Sequence, residues 1–261
     1  MNKLFATKDF LFYLIKAKSK YYVHSPFVFE FVNEVLNDTR SFYSYEEIES
    51  TRKLLSKDDS IIEVEDFGAG SQHEKKNKRT ISFIAKTSSA PKKYAQLLFR
   101  IIEHYKCENI LELGTSFGVT TSYLSASNPN KNVFTIEGSK VIADEARKNF
   151  NQLNRININL ILGTFEEKLL PTLNEIKQVD FLYLDGNHRL KPTLEYFNTS
   201  LPFLDENSIV VLDDIYWSSE MKQAWTEIKM HPSVTLSIDL FRMGLLFFRK
   251  DRHKEHFRLY F

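Results

Sequence analysis

Asn109-Ile110-Leu111-Glu112-Leu113-Gly114-Thr115-Ser116-Phe117-Gly118-Val119 reads as a short apolar strand, a turn carrying two glycines, and the start of a helix. A strand that leads through a glycine turn into a helix is the repeating piece of a parallel sheet. A parallel neighbour can be reached only by a crossover, most often a helix. The same rhythm continues downstream. Apolar runs recur at 133–136, 158–162, 181–184 and 209–212. Helical spacing fills 119–126, 139–153, 165–176, 190–200 and 218–230, and 91–105 precedes them with Tyr94, Leu97, Leu98, Ile101 and Ile102 on one face. Alternation of this kind predicts an α/β fold with helices on both faces of the sheet. Two last runs, 234–240 and 244–248, stand too close for a crossover and predict an antiparallel C-terminal hairpin. The expected fold is a doubly wound, seven-stranded, mostly parallel sheet. Ligands of such sheets bind beyond the carboxyl ends of the strands.

Residues 1–90 read differently, as an N-terminal helical extension to a core domain over 91–261. Phe10, Tyr13 and Leu14, then Val23, Phe27, Val28, Phe31 and Val32, recur at helical spacing, and 45–55 continues the pattern. Between the first two, Ser25 stands at a cap position with Pro26 in the first turn. Glu65-Asp66-Phe67-Gly68-Ala69-Gly70 looks like a second acid–glycine loop, but a polar basic stretch follows it instead of a helix. That stretch is read as a loop over the active site, bringing Lys75, Lys76, Lys78 and Arg79 toward its entrance, or as a solvated charged loop. Tyr21, Tyr22, Tyr43 and Tyr45 are read mainly as packing residues, and Tyr216 and Trp217 as better candidates to line a pocket.

Composition limits the classes of function. The 261 residues carry a net charge of +1 with 43% hydrophobic residues, which excludes a disordered or collagen-like chain. Balanced charge gives no global attraction to nucleic acid. The one cysteine, Cys107, excludes an intramolecular disulfide. The apolar run at 10–15 is too short to span a bilayer, which takes about 20 residues. Lysines follow it instead of a cleavage site, so a cytoplasmic soluble protein is expected.

Three chemistries use a strand, a glycine turn and a helix. A dinucleotide site wants glycine at three places, but Ser116 and Val119 occupy the second and third. A hydrolase elbow, G-x-S-x-G, fits Gly114 to Gly118 literally with Ser116 as nucleophile. An acid and a histidine follow in the right order, yet no glycine-rich oxyanion segment lies upstream. The third chemistry is S-adenosylmethionine binding. It needs an acid at the tip of the next run to accept two ribose hydroxyls, and Glu137-Gly138 supplies it.

Residues 109–138 resemble the first two motifs of class I S-adenosylmethionine-dependent methyltransferases, which have a Rossmann-like fold. The form Glu112-Leu113-Gly114-Thr115-Ser116-Phe117-Gly118 is closest to the small-molecule O-methyltransferase branch, with Ser116 in place of a common middle glycine. The resemblance covers roughly residues 90–250. It implies cofactor contacts from Glu112, Gly114, Thr115, Ser116, Gly118, Glu137 and Gly138. After the third strand the family often carries Gly-Asp to reach the adenine; here Gly163-Thr164-Phe165 stands, and the resemblance implies cofactor contacts from these three, with Phe165 packing on the ring in place of a side-chain contact to the adenine amine.

The fourth run leads into Asp185-Gly186-Asn187-His188, and the fifth into Asp213-Asp214. Strands lying side by side would bring the three carboxylates together, where they repel one another unless a cation joins them. Oxygen donors suit Mg²⁺ or Ca²⁺. Such an ion at Asp185, Asp213 and Asp214 would bind a substrate hydroxyl and lower its pKa. His188 would take the proton as general base. The arrangement resembles metal-assisted O-methyltransferases of the catechol type and the related macrocin and cephalosporin-hydroxylase-like group. In the sugar-modifying members the histidine three residues after the aspartate is the base, and Asp185 joins both catalysis and cofactor binding. The segments 24–29, 66–71 and 185–188 together resemble a bacterial methyltransferase subfamily.

The expected activity is therefore O-methylation of a small hydroxylated molecule, with S-adenosylmethionine and a divalent cation such as Mg²⁺. No membrane partner is expected, nucleic acid is disfavoured by the charge balance, and a homodimer is compatible. Three alternatives stand beside it: an RNA or protein methyltransferase on the same fold, a Ser116 hydrolase, and a non-catalytic cofactor-binding module.

Overall fold

A computed structural model describes residues 3–18, 24–64, 78–127, 130–250 and 253–261. The elements begin with α1 (Lys3–Lys16), α2 (Pro26–Phe31), α3 (Tyr43–Leu55), β1 (Ile61–Glu63), β2 (Lys78–Thr80), α4 (Ile81–Thr87) and α5 (Lys92–Tyr105). Strands and helices then alternate: β3 (Asn109–Leu113), α6 (Val119–Ala126), β4 (Asn132–Glu137), α7 (Lys140–Gln152), β5 (Ile158–Leu162) and α8 (Phe165–Ile176). They continue with β6 (Phe181–Leu184), α9 (Leu190–Ser200), β7 (Ile209–Leu212), α10 (Ser219–Lys229), β8 (Leu236–Asp239), β9 (Gly244–Phe247) and β10 (Glu255–Arg258). Two groups of residues each build a core of their own: 38–172, and 1–37 with 173–261.

Within 38–172, β3, β4 and β5 pair in parallel, with Ile110 opposite Val133 and Val133 opposite Ile158. The apolar face of α5 is buried through Leu97, Leu98, Ile101 and Ile102, and α6 buries Val119, Tyr123 and Leu124. Each such side chain contributes about 1.5–3 kcal/mol on leaving water. Tyr45 of α3 is a packing residue, its ring 5.1 Å from Phe99 and 5.4 Å from Tyr123, whereas Tyr43 is exposed. Ile61–Glu63 and Lys78–Thr80 form an antiparallel pair, so Lys78 and Arg79 belong to a strand rather than to the expected loop. Thr80 then caps α4, its hydroxyl accepting the Phe83 N–H at 3.2 Å.

Within the second group, β6 and β7 are parallel, while β9 runs antiparallel to both β7 and β8. The expected hairpin is therefore β8–β9. Among the described residues β10 adds in parallel beside β8, one strand more in that sheet than the seven expected. Its sequence, Glu255-His256-Phe257-Arg258, is polar and only half-buried, as an end strand permits, and carries no apolar run to announce it. Tyr13 of α1 is buried, and its hydroxyl donates to the Leu259 carbonyl. Phe27 and Phe31 meet Phe247 edge-on. Ser25 takes the cap position of α2 and Pro26 its first helical position.

No helix among the described residues is long and apolar enough to cross a membrane. Tyr21, Tyr22, residues 65–70, Lys75 and Lys76 lie outside the described residues.

Candidate functional site

The glycine turn after β3 is closed by three backbone bonds and one carboxylate. The Gly114 N–H reaches the Ile136 carbonyl at 3.1 Å, which prolongs the β3–β4 ladder. The Gly118 N–H donates to the Thr115 carbonyl at 2.9 Å, and the Ser122 N–H to the Gly118 carbonyl at 2.9 Å. Ser116 has φ 50° and Gly118 φ 75°, so the chain twists sharply just before α6. Gly118 is needed twice over. Its φ favours glycine, and a Cβ built there lies 2.2 Å from the Phe150 ring. Its role is thus to let α7 pack beneath the turn. Thr115 is buried, its hydroxyl 2.6 Å from that of Thr135.

Glu137 ends β4 and joins the two sides of the turn. Its Oε2 accepts the Ser116 N–H and its Oε1 the Ser139 N–H, both at 3.0 Å. A carboxylate presents two acceptor oxygens, the chemistry that a pair of adjacent hydroxyls calls for. Gly138 separates this tip from α7. Two hydroxyl oxygens beside it, Ser116 Oγ and Ser139 Oγ, are buried without a hydrogen-bond partner. Buried polar atoms are normally satisfied, so such atoms at a strand end mark a place for a polar ligand. That is what a cofactor bearing a ribose diol requires, and these residues fit it.

Glu112 lies beneath the turn and is fully buried. Its Oε2 accepts hydrogen bonds from Thr121 at 2.5 Å and Thr135 at 2.7 Å, and its Oε1 has no partner. Burial pushes its pKa up to about 8, against the two threonine hydroxyls. The acid is therefore neutral at pH 7 and can present a proton from Oε1.

After β5, the Gly163 N–H donates to the Glu137 carbonyl at 2.9 Å. The Thr164 hydroxyl accepts the Glu167 N–H at 3.3 Å, which caps α8. Phe165 is the first residue of that helix and half-buried.

The acidic residues gather in the other group. Asp185 follows β6, its Oδ2 accepting from the Tyr183 hydroxyl at 3.2 Å. His188 Nε2 stands 3.7 Å from Asp185 Oδ1. Enclosure by protein holds the His188 pKa below its usual 6.5; Asp213 opposes this and Arg242 adds to it. The Asp213 N–H bonds the Leu184 carbonyl at 3.0 Å, which continues the β6–β7 pairing past the strand ends. Asp213 is fully buried and Asp214 adopts a left-handed conformation at φ 52°.

The expected cation at this pair is a side chain. Arg242 Nη2 lies 3.0 Å from Asp213 Oδ2 and 3.2 Å from Asp214 Oδ1. Burial works against the guanidinium charge, but the two carboxylates outweigh it and hold the group firmly protonated. Burial, then Asp213, pushes Asp214 up to about 7. Mutual repulsion is thus answered from within the chain. Among the described residues no three histidines, cysteines, aspartates or glutamates are grouped to hold a metal ion. The donor set at 185, 213 and 214 does not fit a divalent cation, since the guanidinium stands where the ion would.

Arg242 could have been suspected from sequence only as the one cation in the β8–β9 turn. Thr121, Thr135 and Ser139 carried no signal beyond their proximity to the motif. Tyr216 is a packing residue: it is buried, its ring lies 5.1 Å from Phe241, and its hydroxyl donates to Asp239 at 2.7 Å. Trp217 is 44% exposed.

Residues 111–215 match a family model described as a methyltransferase domain. A tRNA (guanine-N(7)-)-methyltransferase of Mycoplasma mobile is 32% identical over 80 residues, which is 31% of this chain and 40% of that protein. The chain thus spans less than half the length of that curated relative. Among solved structures, the O-methyltransferase from Bacillus cereus in complex with SAH superposes with a TM-score of 0.56 at 16% identity, covering 84% of this chain and 96% of that one. The SAH-bound Podospora anserina methyltransferase PaMTH1 gives 0.59 at 15% identity, covering 87% and 98%. The Rossmann-like α/β fold expected from the sequence is the fold of this chain.

Proposed function

We propose that this protein is an S-adenosylmethionine-dependent methyltransferase acting on a hydroxyl oxygen of a small molecule. The observation that carries it is the tip of β4, where Glu137 clasps the Ser116 and Ser139 amides beside the two buried, unpartnered hydroxyls of those serines. The match of 111–215 to a methyltransferase domain and the SAH-bound structural neighbours support it. S-adenosylmethionine, when bound, supplies a methyl group already activated on a positive sulfur.

The chain's own residues then have three tasks. Glu137 and the unpartnered Ser116 and Ser139 hydroxyls hold the polar parts of the cofactor. The glycine turn fixes their geometry, so alignment is built before the cofactor arrives. His188, neutral at pH 7, accepts the hydroxyl proton at its unprotonated ring nitrogen, with Asp185 beside it to stabilise the imidazolium that forms. Arg242 holds the Asp213 and Asp214 side chains in place through one guanidinium nitrogen. We assign no divalent cation to this step, because the guanidinium already engages both carboxylates. A cytoplasmic location agrees with the single cysteine.

The test has two stages. Calorimetry should show saturable binding of S-adenosylmethionine, and labelled cofactor incubated with cell extract should transfer label to a small-molecule fraction. Absence of cofactor binding by the wild-type chain would remove the proposal.

The Mycoplasma mobile relative favours a second reading, methylation of RNA. Label recovered in RNA, with RNA retention that weakens steeply as salt rises, would select it.

A further inference from the structure

We propose that α1, α10, β8 and β10 frame a second binding site, one for the phosphate monoester group of a small molecule. The register of the end strands builds its floor. Ser237 pairs with His256 and Asp239 with Arg258, so four alternate side chains of β8 and β10 share one face. Trp225 and Lys229, one helical turn apart on α10, form a wall. Lys16 and Lys18 bring the chain that leaves α1 to the rim, where the Lys18 N–H is tied to the Arg258 carbonyl at 2.8 Å. The cavity they line measures about 200 Å³.

Its charge is one-sided. Lys16, Lys18, Lys229 and Arg258 face a single carboxylate, Asp239. That carboxylate is already engaged, accepting from Arg258 Nε at 3.1 Å and from the Tyr216 hydroxyl at 2.7 Å. Among the described residues neither Lys18 nor Lys229 has an ion-pair partner. Burial, then the neighbouring Arg258, lowers the Lys229 pKa, which an anion in the cavity would relieve. Trp225, also part of the lining, is 1% exposed and its Nε1–H has no acceptor. A buried indole N–H usually has one.

Several cations around one small cavity suit a group with concentrated negative charge and several acceptor oxygens. A phosphate monoester carries a charge of about −1.5 to −2 and three such oxygens. A phosphodiester chain spreads single charges along its length and calls for a row of cations rather than a cluster. The site owes nothing to methyl transfer, so the proposal stands or falls separately from the function above.

Trp225 reports on its own site. It is one of two tryptophans, and Trp217→Phe in the full-length chain leaves it as the sole indole. Ribose 5-phosphate should change its fluorescence saturably with a Kd of about 1 mM or tighter, whereas ribose should not. Lys229→Gln and Lys18→Gln should each weaken binding about tenfold or more. Lys18 is exposed, so its variant keeps the fold, and Lys191→Gln on α9 should bind as the parent does. No saturable response, or equal binding by Lys229→Gln and the parent, overturns the proposal. So does tighter binding of a short oligouridylate that the same two variants abolish, because the cavity would then read an RNA backbone.

Discussion

Arg242 Nη2 lies 3.0 Å from Oδ2 of the fully buried Asp213. Removing a cation from a buried pair leaves a charge with neither water nor partner, which costs about 3–5 kcal/mol. Arg242→Met should therefore lower the melting temperature by on the order of 10 °C in a chain of this size. Asp213→Asn in the same molecule should recover much of the loss, because the stranded charge is gone. If the double variant is as unstable as Arg242→Met alone, the damage comes from lost packing and not from charge.

The same pair bears on metal. With Arg242 seated between the carboxylates, a titration of the wild-type chain with Mg²⁺ should release no binding heat, and EDTA should leave label transfer unchanged. Arg242→Ala is the informative contrast, since it frees oxygen donors of Asp213 and Asp214. Saturable Mg²⁺ binding by the wild type would show that the guanidinium yields its place.

Glu112 gives the fold a pH dependence of unusual sign. In the unfolded chain it ionises near its ordinary 4.5, whereas burial keeps the folded carboxyl protonated up to about 8. Between those values the native state holds the extra proton, so stability falls as pH rises and levels off above about pH 8. Burial of this kind is worth a few kcal/mol over the window. Glu112→Gln keeps the shape without the proton, and its melting temperature should change less between pH 5 and 8 than that of the parent. Parallel curves for the two proteins would count against the shift.

Much of this was legible because parallel sheets write themselves in strong signals. Strands such as Phe181–Leu184 and Ile209–Leu212 are buried at every position, and an aspartate follows each. The turn at Gly114 to Gly118 and the acid at Glu137 were readable for the same reason. What escaped was set by tertiary pairing. β10 has no hydrophobic pattern because its neighbour on one side is β8 and it closes the order of strands there. Arg242 lies far in sequence from the aspartates it neutralises, and spacing within a motif says nothing of a partner in another turn. The metal was inferred from three carboxylates without that partner.

Glu137 is the cofactor test. Glu137→Ala removes the acceptor of two backbone N–H bonds and of the ribose hydroxyls together. Hydrogen bonds to a charged group contribute about 1.5–3 kcal/mol each, so losing two should lower S-adenosylmethionine affinity by about a hundredfold to ten-thousandfold in calorimetry. Unchanged affinity would move the cofactor elsewhere.

Gly118 separates packing from binding. Gly118→Ala strains a backbone at φ 75° and drives a methyl group into Phe150. The first effect costs about 1–2 kcal/mol and the second about 1–3. Phe150→Leu should relieve only the second. The double variant should then be more stable than the sum of the two single losses, with a coupling energy of about 1 kcal/mol or more. Additive losses would mean that Phe150 swings aside without cost.

His188 carries the proton step, and its pH profile is the sharpest check. Because enclosure lowers its pKa below 6.5, the neutral imidazole predominates at pH 7. Label transfer should therefore climb with pH through an apparent pKa below 6.5 and reach a plateau by neutrality. Asp214, pushed up to about 7, titrates close by and must be distinguished. His188→Gln should lower the rate by about 10²–10⁴ and abolish the acidic limb, whereas Asp214→Asn should keep that limb. Cofactor binding should be unchanged in His188→Gln, which confines its effect to the chemical step. A rate that still rises beyond pH 8, or a His188→Gln protein as active as the parent, would place the base on another residue.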